Sequence, residues 1–318
     1  MCVYEEAVKN FALTGAAGYI APRHLRAIAE TGNRLVAAFD PHDAVGVLDE
    51  FWFDVPFFVE FERFDRHLEK LRRAGSSRVD YFSICSPNYL HDAHIRLALR
   101  LGADAIVEKP LVVNPWNLDA LQELERESGA RVHTVLQLRL HPEVLALKHQ
   151  LASTTRRHYV TLTYVVPRGR WYDVSWKGQE ERSGGILANI GIHFFDLLLW
   201  LFGACEQWTV TIRERRRAAG QLELQRASVE WFLSADIGDL ETVHAPDGAR
   251  SFRVMSVDGQ KAEFSDGFSG LHTQVYHELL GGGGFGIDDA RPSIELVHRL
   301  RYCAVGARAV AGTGLDGR

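Results

Sequence analysis

Cysteine is scarce: the 318 residues hold four, Cys2, Cys85, Cys205 and Cys303, widely separated and with no C-x-x-C spacing. That excludes a disulfide framework and a structural zinc site as organising features, and it fits a reducing compartment. Glycine and proline, at 28 and 10 residues, are too few for a fibrous or low-complexity chain. Positive charge is not in excess either, since the formal net charge is -5. The field of the whole molecule therefore favours neither nucleic acid nor an anionic membrane surface, and a small molecule is the expected partner. Long apolar runs are missing. The most apolar stretch, 190–205, contains His193 and Asp196, and its length falls short of a bilayer core of about 30 Å, so it reads as a buried helix. Ahead of Phe11 stand Glu5, Glu6 and Lys9, which is not the pattern of a secretion signal. The expected location is the cytoplasm.

The remaining composition, 46% hydrophobic and 24% charged, is that of a globular protein. The length suits two domains of roughly 100 to 200 residues each. From Asn10 onward short apolar runs alternate with helical-period segments, the pattern of βα units that build a parallel sheet. Strands are expected over 11–14, 35–39, 81–85, 105–107 and 132–136, and helices over 22–31, 64–74, 90–101 and 115–128. After about Pro142 the rhythm changes to longer alternating strands, at 159–166, 207–213, 227–234 and 252–257, with turn signals at Asp247-Gly248 and Asp258-Gly259. The expected fold is α/β: an N-terminal Rossmann-type, doubly wound parallel sheet over 1–140. An α+β domain with a largely antiparallel, open-faced sheet follows over 141–318, its last helix able to pack back on the first domain. Helix 190–202 would cover one face of the second sheet, leaving the other for a second subunit. There is no internal repeat, and the glycine run 281–284 reads as a loop.

Directly after the first strand comes Thr14-Gly15-Ala16-Ala17-Gly18-Tyr19-Ile20-Ala21. Small residues there let the backbone approach a pyrophosphate, which would sit on the free N–H groups and positive end of the next helix. Asp40 closes the second strand, where a carboxylate accepts hydrogen bonds from ribose hydroxyls and opposes a 2′-phosphate, so NAD is expected over NADP. A glycine turn alone is a weak motif. The strand before it, the helix after it and the acid at the next strand end carry the reading. The spelling G-x-x-G-x-x-A is shared with extended short-chain dehydrogenases, but no Tyr here has Lys four residues later, so the Tyr-x-x-x-Lys chemistry of that family has no carrier.

At later strand ends lie Cys85-Ser86-Pro87-Asn88-Tyr89-Leu90-His91 and Glu108-Lys109-Pro110, positions that border the ligand crevice of an open α/β sheet. Further on, Gly184-Gly185-Ile186-Leu187-Ala188-Asn189-Ile190-Gly191-Ile192-His193-Phe194-Phe195-Asp196 sets Asn189 and His193 four apart, on one helix face. The chain resembles the Gfo/Idh/MocA oxidoreductases, whose Glu-Lys-Pro tripeptide supplies a lysine beside the nicotinamide and the substrate hydroxyl. Many relatives carry Asp where this chain has Asn189. The resemblance implies Lys109, His193 and Asn189 as the catalytic group. Asn189 would orient a hydroxyl, and Lys109 or His193 would receive its proton, both roles being open to either base. It also implies a cofactor shell of Gly15, Ala17, Gly18, Tyr19, Ile20, Asp40, Ser86, Asn88, His91, Glu108, Lys109, Gln137 and Trp171. His91 and His94, or His193 with Asp196, lack a third ligand of defined spacing, so no metal site is expected.

The segment Pro167-Arg168-Gly169-Arg170-Trp171-Tyr172-Asp173-Val174-Ser175-Trp176-Lys177-Gly178 gathers cations and aromatics, suited to carboxylate or phosphate and to sugar or base rings. Together with Gln137-Leu138-Arg139-Leu140-His141, Ser265-Asp266-Gly267-Phe268 and Gly284-Phe285-Gly286-Ile287-Asp288-Asp289-Ala290-Arg291-Pro292, it is similar to the UDP-N-acetylglucosaminuronic acid 3-dehydrogenase branch of that family. This implies oxidation of a UDP-sugar at C3 for lipopolysaccharide O-antigen synthesis, with an aminotransferase as the next enzyme. It further implies 2-oxoglutarate as a hydride acceptor and a homotetramer. The implied substrate contacts are Lys109, Arg168, Tyr172, Trp176, Lys177, Asn189 and His193. Two alternatives remain: a dehydrogenase of a free sugar or inositol, which would not need the cation-aromatic loop, and a non-catalytic NAD-binding sensor.

Overall fold

The computed structural model describes residues 7–75, 78–262 and 270–311. Cys2 and the tetrapeptide Ser265-Asp266-Gly267-Phe268 lie outside them. The chain divides into two compact units. The first comprises Met1–Val112, Trp116–Gln137 and Ser269–Asp289, and the second Val113–Pro115, Leu138–Phe268 and Ala290–Arg318. By contacts, residues 269–289 group with the first unit.

The first unit runs β1 (Asn10–Thr14), α1 (Ala21–Glu30), β2 (Arg34–Phe39), β3 (Phe57–Phe58), α2 (Phe61–Ala74), β4 (Tyr81–Ile84), α3 (His91–Arg100), β5 (Asp104–Val107), α4 (Trp116–Ser128) and β6 (Val132–Thr134). Its strands form a parallel sheet in the order β3-β2-β1-β4-β5-β6. All five residues of β1 are buried, as are three of four in β4 and β5. Strands sandwiched between helices have no solvent face, so they read as continuous apolar runs without alternation. The two-residue β3 at the sheet edge carries too little sequence for a periodic signal, and it was not expected. The order reverses between β1 and β4, which places the ligand crevice at the C-terminal ends of these strands. Helix α10 (Leu271–Leu280) belongs to this unit and buries Leu271, His272, Val275, Tyr276 and Leu279.

The second unit contains α5 (Pro142–Ala152), β7 (His158–Val165), the short helices α6 (Trp171–Val174) and α7 (Glu180–Ser183), α8 (Ile192–Phe202), β8 (Cys205–Arg213), β9 (Arg217–Leu224), β10 (Ala227–Ser234), α9 (Asp239–Thr242), β11 (Phe252–Val257), β12 (Gln260–Ala262) and β13 (Arg308–Val310). The long helix α11 spans Ile287–Tyr302. Seven strands form one sheet in the order β12-β11-β7-β10-β9-β8-β13, antiparallel except for the parallel pair β7–β10. Along β10 buried residues alternate with less buried ones, the mark of a sheet with one covered face. Gly191 allows a helix to lie close to that sheet, because a Cβ there would stand 2.8 Å from Leu233 and 2.6 Å from the Phe195 ring. The helical stretch Glu180–Phe202 is 23 residues long, which by length and composition only is enough to cross a membrane. Its most apolar window is 72% buried inside the fold, as befits a core helix.

Candidate active site

In the first unit the backbone turns sharply at Gly15, whose φ is +81°. A Cβ at that position would lie 2.4 Å from the Cys85 carbonyl oxygen, so only glycine lets the turn pack against the end of β4. The N–H groups of Gly15 and Ala16 both donate to the Phe39 carbonyl, at 2.8 and 3.3 Å, which ties the turn to β2. Beyond it Ala17 and Tyr19 are exposed and Gly18 and Ile20 half-buried, leaving the approach to α1 open. Asp40 is buried, and its carboxylate braces this turn: Oδ2 accepts the Ala17 N–H at 3.0 Å, and Oδ1 the His42 N–H at 2.9 Å. At the C-terminal ends of β1 and β6 and in the turn after β6, the Thr14 and Thr134 hydroxyls and the Gln137 amide oxygen are buried without a partner among the described residues. A glycine cradle with unmatched polar atoms at the strand ends fits a dinucleotide.

The Glu108-Lys109-Pro110 tripeptide follows β5. Glu108 is 6% exposed, while Lys109 is only half-buried. Glu108 Oε1 accepts from His24 Nε2 and from His272 Nε2, both at 3.0 Å. Burial alone would raise its pKa, but the two imidazole hydrogen bonds outweigh that and hold it well below the usual carboxylate range. Burial keeps His24 neutral by lowering its pKa. The sequence reading set Glu108 and His91 on the cofactor, and in the structure both side chains are buried. Glu108 is taken up beneath the site, and His91 is fully buried with Nδ1 2.8 Å from the Pro110 carbonyl and Nε2 2.9 Å from the Ser86 carbonyl. His91 therefore lies between the loop after β4 and the loop after β5, its one N–H when neutral donating to one of these carbonyls. Ser86 Oγ in turn pairs with His94 Nδ1 at 2.9 Å, and Asn88 is buried in the same loop. His24 and His272 escaped the sequence reading because each is a single histidine on an apolar helix face, which reads as core. His24, Glu108 and His272 form a cluster of metal-ligand type, yet every nitrogen facing Glu108 is already at hydrogen-bond distance.

In the second unit Asn189 and His193 are the only half-buried residues between Ile186 and Leu198, all the others being buried. A π-helical turn over Leu187–Gly191 precedes α8, and through it the two side chains keep the shared open face expected from their spacing. Tyr172 is 1% exposed, and its hydroxyl faces the Asn189 amide. Burial raises its pKa, and the Asn189 amide lies close enough to oppose the rise. Lys177 stands 5.4 Å from the Trp171 ring and 5.6 Å from the Trp176 ring. Burial, and then the Arg168 charge, lower its pKa. Neither Arg168 nor Lys177 makes an ion pair among the described residues, whereas Asp173 in the same loop is neutralised by Arg216 at 2.6 Å. Arg216 Nη1 also donates to the Arg168 carbonyl at 2.9 Å, and Arg215 donates to the Gly178 carbonyl at 3.2 Å. These two arginines shape the cation-aromatic loop. The basic run Arg215-Arg216-Arg217 was the available signal, and the loop's own cations drew attention away from it.

A Rossmann sheet with this turn, joined to a mixed sheet that carries an Asn/His helix, defines an NAD-dependent oxidoreductase. The chain belongs to the Gfo/Idh/MocA family: residues 9–135 match its oxidoreductase NAD-binding Rossmann fold, and residues 158–309 its C-terminal alpha/beta domain. The WlbA (WbpB) dehydrogenase of Thermus thermophilus, solved with NAD and alpha-ketoglutarate, is 51% identical with a TM-score of 0.90, over 94% of this chain and 96% of that one. The same enzyme has been solved with NAD and UDP-GlcNAcA, at 50% identity and a TM-score of 0.90, over the same shares of each chain. The Bordetella pertussis WlbA dehydrogenase, 18% identical with a TM-score of 0.76 over 96% of this chain and 98% of that one, shares the fold. Among curated proteins, D-glucoside 3-dehydrogenase of Escherichia coli is 27% identical over 40% of this chain and 36% of its own length. An oxidoreductase subunit assigned to UDP-kanosamine synthase in Amycolatopsis mediterranei is 32% identical over 39% of this chain. The match spans 35% of that subunit, about a third of its length.

Proposed function

We propose that this chain oxidises the C3 hydroxyl of UDP-N-acetylglucosaminuronic acid to the 3-keto sugar, with NAD as hydride acceptor. The observation that carries the reading is the 50% identity, along nearly the full length of both chains, to a dehydrogenase solved with NAD and UDP-GlcNAcA. The uncompensated, half-buried Arg168 and Lys177 support it, since adjacent cations without carboxylate partners favour a polyanion such as a uronate or diphosphate. Bound NAD supplies the nicotinamide that takes the hydride from C3. The chain's own residues handle the rest: Asn189 orients the hydroxyl, Lys109 or His193 receives its proton, and the Tyr172 hydroxyl offers a buried hydrogen bond to the sugar. Trp176 offers a ring face to the nucleotide sugar, Trp171 one to the cofactor, and Asp40 faces the adenosine ribose.

We place the reaction in the cytoplasm, in a homotetramer assembled on the open face of the seven-stranded sheet. Its product passes to an aminotransferase for O-antigen sugar synthesis, and 2-oxoglutarate reoxidises the NADH. The test is incubation with UDP-N-acetylglucosaminuronic acid, NAD and 2-oxoglutarate, read by mass spectrometry, beside parallel reactions with free glucose and inositol. A 3-keto UDP-sugar is expected. Turnover of the free polyols alone would transfer the assignment to a free-sugar dehydrogenase, and no turnover of any of them, with NAD bound, to a sensor.

A further inference from the structure

Three buried side chains remain outside this reading: His24 on α1, and His272 and Tyr276 on α10. Together with Ser83 of β4 they form a continuous hydrogen-bonded chain that ends on Glu108. Ser83 Oγ is 2.6 Å from the Tyr276 hydroxyl, which is 2.8 Å from His24 Nδ1, and His24 Nε2 and His272 Nε2 meet at Glu108 Oε1. The proton positions follow from the acceptors. An ionised carboxylate only accepts, so both imidazoles carry their proton on Nε2. The bare Nδ1 of His24 then takes the Tyr276 O–H, and the Tyr276 oxygen takes the Ser83 O–H. The rings are locked edge to face, with His24 5.1 Å from His272 and 5.7 Å from Tyr276.

This chain of bonds acts on Lys109. Glu108 Oε2 accepts the Lys109 backbone N–H at 3.2 Å, so the carboxylate grips the peptide from which the lysine departs. Lys109 follows Glu108 in the bend just after β5, where Glu108 is buried and Lys109 half-buried. Fixing Glu108 inward therefore fixes Lys109 outward, and His91 lies at the far side of the tripeptide, its Nδ1 2.8 Å from the Pro110 carbonyl. We propose that His24 and His272 are positioning residues: by clamping Glu108 they set the direction in which Lys109 is presented to the substrate hydroxyl. The proposal rests on the assignment of Lys109 to the reaction. A divalent cation on the same three side chains would need both Nε2 atoms bare, which would put a proton on His24 Nδ1 facing Tyr276, so the tautomer separates the two arrangements.

The experiment is long-range ¹H–¹⁵N NMR of the histidine-labelled, NAD-bound protein, with signals assigned through His24→Gln and His272→Gln. Both rings are expected to carry a proton on Nε2, and His24 to have a bare Nδ1. A Nδ1–H tautomer at either ring, or stoichiometric metal by elemental analysis, overturns the proposal. It needs no turnover and so stands apart from the choice of substrate. In steady-state kinetics His272→Leu is expected to lower kcat on the order of 10-fold, with KM for NAD within about two-fold, because a misdirected reacting group slows chemistry without weakening remote binding. His272→Gln keeps an N–H near the Nε2 position and is expected to recover most of that loss. Unchanged kcat in the leucine variant, or an equal loss in both variants, overturns the proposal. Lys109→Ala run alongside separates the two failures: if it keeps turnover, the assignment of Lys109 fails instead.

Discussion

Lys109 and His193 share one property at the residue scale: each is half-buried where its chain neighbours are buried. Lys109→Ala and His193→Ala are expected to lower kcat on the order of 10²-fold for whichever is the general base, with NAD affinity largely intact. Near-normal turnover in both variants, measured by NADH absorbance, would remove them from the reaction. Gly15→Ala forces a Cβ to 2.4 Å from the Cys85 carbonyl oxygen at a positive φ. A cost of about 1–3 kcal/mol in urea unfolding, together with weaker NAD binding, is the expected result. Asp40→Ala frees the Ala17 and His42 N–H groups from their acceptor. Weaker NAD binding and poorer discrimination against NADP are expected, and an unchanged cofactor preference in titration would take the acid off the ribose.

Helix α8 shows how an element is aimed. Arg139 and Asp196 form a buried two-bond ion pair, Nε–Oδ2 at 2.9 Å and Nη2–Oδ1 at 2.7 Å, which ties the 3-10 turn Gln137–Leu140 to the helix that carries His193. Arg139 and Lys148 both lie over the Trp200 ring, at 5.7 and 3.3 Å. Removing one charge leaves the other buried without its partner, so Asp196→Ala is expected to cost about 3–5 kcal/mol in urea unfolding. The double variant Arg139→Met/Asp196→Leu is expected to regain much of it, because two apolar side chains leave no buried charge behind. Equal losses in the single and double variants would show that packing, not charge, is what the pair supplies. The sequence reading had assigned this segment to a family motif. Its physical task was hidden, because the two partners are 57 residues apart.

For the whole molecule, six histidines, His24, His67, His91, His94, His133 and His298, have their pKa values lowered first of all by burial. The sign is therefore common to all six. The unfolded chain takes up protons as pH falls through about 6.5, while the folded state does not, so stability falls with pH below that value. His94, 3% exposed and lowered to about 4, alone corresponds to about 3 kcal/mol lost between these two pH values. Urea midpoints are expected to drop steadily from pH 7 to pH 4.5, and a flat profile would mean that the histidines are solvated.

What the residues determined alone is what local pattern can carry. Runs of buried apolar residues marked β1, β2, β4, β5 and β6 to within two residues, because a strand covered on both faces must be apolar throughout. The glycine turn, the Glu108-Lys109-Pro110 tripeptide and the Asn189/His193 spacing were legible for a similar reason: each is a short stretch whose chemistry needs those side chains side by side. Tertiary structure alone decided what stands behind them. Glu108 lies 84 residues from His24 and 164 from His272, and Arg216 lies 43 residues from Asp173. Hydrogen bonds across such separations leave no periodicity in the chain, and a histidine on an apolar helix face looks like core until the fold brings a carboxylate to it.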